Sequence, residues 1–226
     1  MESVAVRPQT RSDRTIGVVY LLYFVAAIVA TLLGKGLLSP NDPAATASAM
    51  LAHESLYRAS LAADLIANAL YIGVIALLYS LFAPVSQRLS VVAAFFGLVG
   101  CSVQIFGSTF RMASLFLLGS NGWLSSFTAE QVHSAALLCL RLHVLTFNTS
   151  LVLFGLFNLC IGCLILGSKL LPKFLGVLML AAGLGWSTFI WPPLATALSS
   201  YIMPLGALAE LLLMLWLLVR GAKSAA

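Results

Sequence analysis

Residues 53–79 read HESLYRASLAADLIANALYIGVIALLY, an apolar run that carries Asp64 and Asn68 one helical turn apart. At a rise of about 1.5 Å per residue, about 20 apolar residues cross the hydrocarbon core of a bilayer. A membrane-spanning strand alternates apolar and polar positions over about ten residues, and this run does not alternate. It reads as a transmembrane helix with a carboxylate inside it. That reading sets the fold class and raises the question of what meets Asp64.

The rest of the chain has the same character. Of its 226 residues 61% are hydrophobic and 8% are charged, and the mean hydropathy is +1.04. Soluble chains carry about 25% charged residues, so the surface of this one must be solvated by lipid. About six spanning runs are legible: Ile16 to Gly34, Ala59 to Phe82, Val91 to Leu118, His143 to Gly167, Phe174 to Leu194, and Tyr201 to Val219. Short polar segments separate them, among them SPNDP after the first and SKLLPK after the fourth. The expectation is an all-α, polytopic membrane protein with one transmembrane domain over residues 1–226. In the first run, about 19 residues exceed a signal-peptide core, and its exit LLGKGLLSP lacks an A-x-A cleavage site, so it is expected to be retained.

Orientation follows from lysine and arginine, which favour the cytoplasmic side. An even number of spans puts both ends on one side, and that side collects Arg7, Arg11, Arg14, Arg88, Lys169, Lys173, Arg220 and Lys223. The opposite loops hold Lys35 and Arg58, while Arg111 and Arg141 lie in or beside spans. Both termini are therefore expected in the cytoplasm. The formal net charge of +5 reflects this bias and an attraction to anionic lipid. No basic, aromatic groove points to nucleic acid. Tyr57, Trp123, Trp191 and Tyr201 are expected at the outer interface, and Tyr20, Tyr79 and Trp216 at the inner one.

Depth can be counted from these boundaries. Asp64 falls about 8 Å below the outer surface, Asn68 about 14 Å, Arg111 about 10 Å, Asn148 about 8 Å and Glu210 about 14 Å, with Arg141 and His143 at the rim. A charge in hydrocarbon costs at least about 2.5 to 3.5 kcal/mol, and groups that meet this cost face the bundle interior and pair. Equal depth predicts that Asp64 and Arg111 lie on adjoining faces. The cluster Asp64, Asn68, Arg111, Arg141, His143, Asn148 and Glu210 admits three readings: an ion-pair network that fixes helix register, an outward pocket for a small-molecule ligand, or a catalytic centre. Small residues recur every fourth position at Ala26, Ala30 and Gly34, at Ala59, Ala63 and Ala67, and at Gly183 and Ser187, as close helix packing requires.

Two outer segments carry helix-start signals. Asp42 followed by Pro43 reads as an N-cap with a first-turn proline, and Thr128 with Gln131 has capping-box spacing. Trp191, Pro192 and Pro193 are expected to end the fifth span. A hydrolytic zinc site needs converging imidazole and carboxylate ligands; His53, His133 and His143 show neither H-E-x-x-H nor H-x-x-x-H spacing, so no metal and no cofactor is expected. Cys160 and Cys163 have C-x-x-C spacing among leucines and isoleucines rather than the polar setting that activates a thiolate, and are expected to serve packing.

HESLYRASLAADLI, LHVLTFNTSLVLFGLFNLCIGCLILGSKLLPKFLGVLMLAAGLGW and AELLLMLWLLVRG resemble the bacterial integral membrane family described only as domain of unknown function 4386. The S-K-x-L-P-x-x-L-G turn between the fourth and fifth spans carries the resemblance most specifically. It implies about six helices in a bacterial cytoplasmic membrane and supplies no activity and no site residues. The functional expectation from the residues is a binder or transporter of a small molecule through the outer polar cluster. The alternatives are an intramembrane hydrolase and a structural protein held by buried ion pairs.

Overall fold

The computed structural model describes residues 10–37, 39, 41–119 and 125–222. Seven α-helices follow one another: α1 (Thr10–Gly34), α2 (Pro43–Ala52), α3 (Glu54–Phe82), α4 (Gln87–Leu118), α5 (Ala129–Gly167), α6 (Lys173–Ser187) and α7 (Pro192–Val219), with a 3-10 turn at Thr188–Ile190 before the last. No strand occurs among the described residues. All helices except α2 contribute a segment long and apolar enough to cross a membrane, the α6 segment extending through the turn to Ile190. The exposed stripe Val18, Leu22, Val25, Ile28 and Leu32 on α1 repeats at helical spacing. Exposed apolar side chains on one helical face are solvated by lipid, not water.

The described residues fall into two compact units. Unit 1 comprises the described parts of Met1–Leu21, Ile72–Leu98 and Val152–Ala226; unit 2 comprises those of Leu22–Tyr71 and Val99–Leu151.

Unit 1 is built on backbone approach at glycines. On α5 and α6, Gly155 and Gly162 face Gly183 and Gly176: a Cβ on Gly183 would stand 2.8 Å from the Gly155 carbonyl oxygen, and one on Gly176 would stand 3.1 Å from that of Gly162. Small residues let spanning helices come this close and gain dispersion contacts, since lipid supplies no hydrophobic drive between them. Gly17 of α1 packs the same way on the Leu217–Leu218 backbone of α7, and Gly206 of α7 receives the Trp186 indole of α6. The SKLLPKFLG turn makes physical sense here. Leu171 and Leu175 are buried, Pro172 is the extended N-cap of α6, and Gly176 leaves room for Leu166 and Gly162.

Unit 2 has an apolar core of Leu37, Met50, Tyr57, Leu61, Leu115 and Leu140. The helix-start signals operate as chemistry demands. The Asp42 carboxylate accepts from the Ala45 N–H at 2.8 Å to cap α2, which stops at His53 before α3 begins. Thr128 and Gln131 cap α5 reciprocally, the Thr128 N–H donating to Gln131 Oε1 at 2.9 Å and the Gln131 N–H to Thr128 Oγ1 at 3.3 Å. From that cap α5 runs 39 residues without a break, a rise of about 58 Å, so the helix that the cap starts continues into the fourth span.

The boundary expected at the paired prolines is corrected. Pro192 and Pro193 start α7 and do not end the preceding span: Trp191 is extended and the prolines occupy the first helical turn, where a missing N–H costs nothing. Pro204 consequently lies inside the helix and breaks its hydrogen-bond ladder. Tyr57 and Tyr20 are fully buried within the protein, whereas Trp191 and Tyr201 are exposed. Trp123 lies outside the described residues.

Replacing Gly183 by Leu should lower the unfolding temperature in detergent by the equivalent of about 3 kcal/mol or more, because the added volume meets α5 backbone that cannot yield. Gly167, which has open space around its Cβ position, should accept Ala with no measurable shift. Equal shifts for the two variants would contradict the glycine interface.

Candidate functional site

Asp64 on α3 and Arg111 on α4 meet in unit 2. Arg111 Nη1 stands 3.6 Å from Asp64 Oδ2, and the side chains are 12% and 20% exposed respectively. An isolated charge at such a position is expensive, and the neighbouring polar atoms show how this pair is accommodated. Arg111 Nη2 donates to Ser60 Oγ at 2.9 Å, and Ser60 in turn donates to the Ala30 carbonyl of α1 at 2.9 Å. Ser108 Oγ donates to Asp64 Oδ2 at 3.2 Å. The Tyr57 ring lies 5.3 Å from the guanidinium carbon, a cation-π distance, and its hydroxyl donates to the Arg111 carbonyl at 3.0 Å. Ser114 Oγ donates to that same carbonyl at 2.8 Å.

The local reasons are visible in the spacing. Ser60 lies one turn before Asp64 on α3, and Ser108 and Ser114 flank Arg111 by one turn on α4, so each hydroxyl faces the same side as the charge on its own helix, which brings Ser60 to Arg111 and Ser108 to Asp64 across the pair. Gly34 closes α1 over the pair, since a Cβ there would stand 3.0 Å from Ser60 Oγ and 3.9 Å from Arg111 Nη2. Ala30 and Gly34, read from the sequence as packing positions, therefore act at the ion pair itself.

The other expected site residues divide. Asn68 is buried and spends its amide on the Asp64 carbonyl at 2.9 Å. His143 of α5 borders the α4 turn before Arg111: its Nδ1 stands 3.5 Å from the Cβ position of Gly107. Arg141 is exposed and Asn148 half-buried. Glu210 belongs to unit 1, where it is 3% exposed and accepts from Asn158 Nδ2 at 3.4 Å. Asn158, 0% exposed, is the partner that sequence reasoning missed; Asn148 drew attention because it matched the other polar groups in depth. Tyr57, Ser60, Ser108 and Ser114 were missed too, because hydroxyls on apolar helices carry no distinctive hydropathy signal. Spacing of one turn from a charge is the signal that finds the serines.

Among the described residues no three His, Cys, Asp or Glu side chains converge as metal ligands. The four cysteines are free thiols, Cys160 half-buried and Cys163 exposed.

Beside the ion pair, α3 and α4 enclose a groove of about 720 Å³ lined by Arg58, Leu61, Ala62, Leu65, Thr109, Met112, Ala113, Leu115 and Phe116. Leu61 and Leu115 are buried at its floor, while Leu65, Met112 and Phe116 are exposed at its walls. Ala62 and Ala113 leave the space. Arg58 marks one end, where its Nε donates to Glu54 Oε1 at 2.7 Å. From Arg58 to Leu65 the groove follows α3 for about 10 Å, and Asp64 and Arg111 join the two helices that wall it.

Six apolar spans and a charged pair satisfied inside one of the two helical units define a multi-pass α-helical membrane protein. The chain belongs to the family described as Domain of unknown function (DUF4386), whose model matches residues 15–221. No curated protein and no solved structure matches the chain in sequence or structure comparisons.

Removing one charge of the pair leaves the other uncompensated. Asp64→Asn and Arg111→Gln should each destabilise the protein by up to about 3 kcal/mol, at the lower end of the range for buried pairs because both side chains retain some exposure. The double variant should recover part of that loss. Thermal unfolding in detergent measures all three, and additive losses would mean that the two charges do not interact.

Proposed function

We propose that this protein binds a small amphiphile in the α3–α4 groove of unit 2, with the Asp64–Arg111 pair holding the two walls in register. The observation that carries the reading is the coincidence of an apolar groove with an ion pair between the same two helices. Ligand sites are concave and mostly apolar, with few polar groups that fix orientation. The groove supplies the apolar surface, and Arg58 with Glu54 supplies the polar end. In this reading Asp64, Arg111 and Asn68 shape the site and are not among its lining residues, their bonds being made to one another and to Ser60. His143 and the α5 turn that carries it back the α4 wall at Gly107.

The membrane assigned to the chain is a bacterial cytoplasmic membrane, with both termini in the cytoplasm. The orientation is supported by the division of basic residues, Lys35 and Arg58 on one side against Arg14, Arg88, Lys169, Lys173 and Arg220 among those on the other, and the bacterial membrane is what the family resemblance implies. On this assignment α2, the junction at His53 and the cap at Thr128 lie outside, and the groove opens to the outer leaflet from its Arg58 end.

Two measurements test the proposal. Ala113→Trp fills the groove from its wall, so a fluorescent fatty-acid analogue that binds the wild-type protein should bind this variant at least about tenfold more weakly, with the unfolding temperature preserved. Unchanged affinity would place the ligand elsewhere. Single cysteines at Ser48 and Ser125, both exposed, should react with a membrane-impermeant thiol reagent in intact cells. Reaction only after the inner face is opened would reverse the orientation.

A further inference from the structure

Arg58, which lines the groove, is paired with Glu54, which stands outside that lining and meets the Arg58 Nε through Oε1. Glu54 and Arg58 occupy successive turns at the start of α3, with side chains 45% and 66% exposed. Their mutual contact uses Arg58 Nε and Glu54 Oε1. An arginine has five N–H donors in a planar fork, so both terminal nitrogens remain available to an anion; a carboxylate has a second oxygen, so Glu54 Oε2 remains available to a cation. Arg58 lines the groove, and its guanidinium matches the geometry of a phosphate better than a lysine would. The end of the groove therefore offers a cation site and an anion site one helical turn apart, above about 10 Å of apolar channel.

We infer that the groove's occupant is a glycerophospholipid with a zwitterionic headgroup of the phosphoethanolamine kind. Its phosphate is held by the Arg58 terminal nitrogens, its ammonium by Glu54 Oε2, and one acyl chain lies along Ala62, Leu65 and Ala113. The charge pattern selects the headgroup. An anionic lipid places its phosphate correctly but leaves Glu54 facing further negative or merely hydroxylic groups. A fatty acid satisfies Arg58 alone. The apolar channel selects for a chain of any kind, and because α3 and α4 are spanning helices it opens onto the medium that supplies such chains.

This inference rests on the amphiphile-binding reading, and the test separates their failures. The full-length protein is equilibrated in vesicles of equal parts phosphatidylethanolamine and phosphatidylglycerol, extracted in mild detergent, and the lipid retained per chain is identified by native mass spectrometry. Wild type should retain one lipid, with phosphatidylethanolamine enriched about fivefold, the scale of one exposed charge pair. Glu54→Gln should abolish or invert that preference, since it removes the ammonium site and frees Arg58 for an anionic headgroup. Arg58→Gln should reduce retention of both lipids. Ala113→Trp should lose the lipid altogether. Both charged side chains are exposed, so neither polar substitution threatens the fold. Retention of one lipid without headgroup preference, with a preference for phosphatidylglycerol, or with a preference that Glu54→Gln leaves intact overturns the zwitterionic assignment while the groove reading stands. Absence of retained lipid in wild type, or retention undiminished in Ala113→Trp, overturns both.

Discussion

A carboxylate and a guanidinium inside apolar helices must satisfy each other, and unit 2 is arranged around that requirement. Insertion scales put the cost of one such charge at about 2.5 to 3.5 kcal/mol or more, comparable with a large part of a protein's net stability. Asp64 and Arg111 meet this cost jointly, at 3.6 Å. The guanidinium then recruits Ser60, and through it the Ala30 carbonyl of α1. The backbone of Arg111 recruits Tyr57 and Ser114. One electrostatic demand thus ties α1, α3 and α4 together with directional bonds, in a setting where hydrophobic contact gives spanning helices no reason to prefer one another over lipid.

Unit 1 joins its helices at glycines, where backbone approaches backbone and dispersion contacts accumulate. The contrast bears on function. Glu210 with Asn158 is buried within the packing of unit 1. The polar bonds of unit 2 hold α3 and α4 at one register while Ala62 and Ala113 leave a channel between them. A groove that stays open in a fluid, competing solvent needs walls that are fixed, and the ion pair fixes them.

Much of this was legible from the residues, and the limits are physical. Helix number and class followed from run length, because the bilayer imposes a thickness on any spanning segment. Asp42 and the Thr128–Gln131 box marked their helix starts correctly because capping is local chemistry. The Asp64–Arg111 pair followed from depth, a one-dimensional coordinate that a sequence contains. Rotation about a helix axis is a second coordinate, and depth does not contain it. For that reason depth did not reveal that Asn158 donates to the Glu210 carboxylate or that the Tyr57 ring lies beneath the Arg111 guanidinium. Trp191 with the two prolines marked a boundary whose direction was ambiguous, since a proline follows one helix and begins another equally well. The groove was illegible because it consists of what Ala62 and Ala113 omit.

The central claim is that the ion pair sets the separation of α3 and α4 along the groove. Dipolar broadening between nitroxide labels at Leu65 and Met112, both exposed at its walls, measures that separation directly in a background without the four native cysteines. With Asp64 and Arg111 intact the account predicts one narrow distance distribution, and with Asp64→Asn a broad one. A distribution unchanged by Asp64→Asn would show that the groove holds its shape without the pair and would contradict the account.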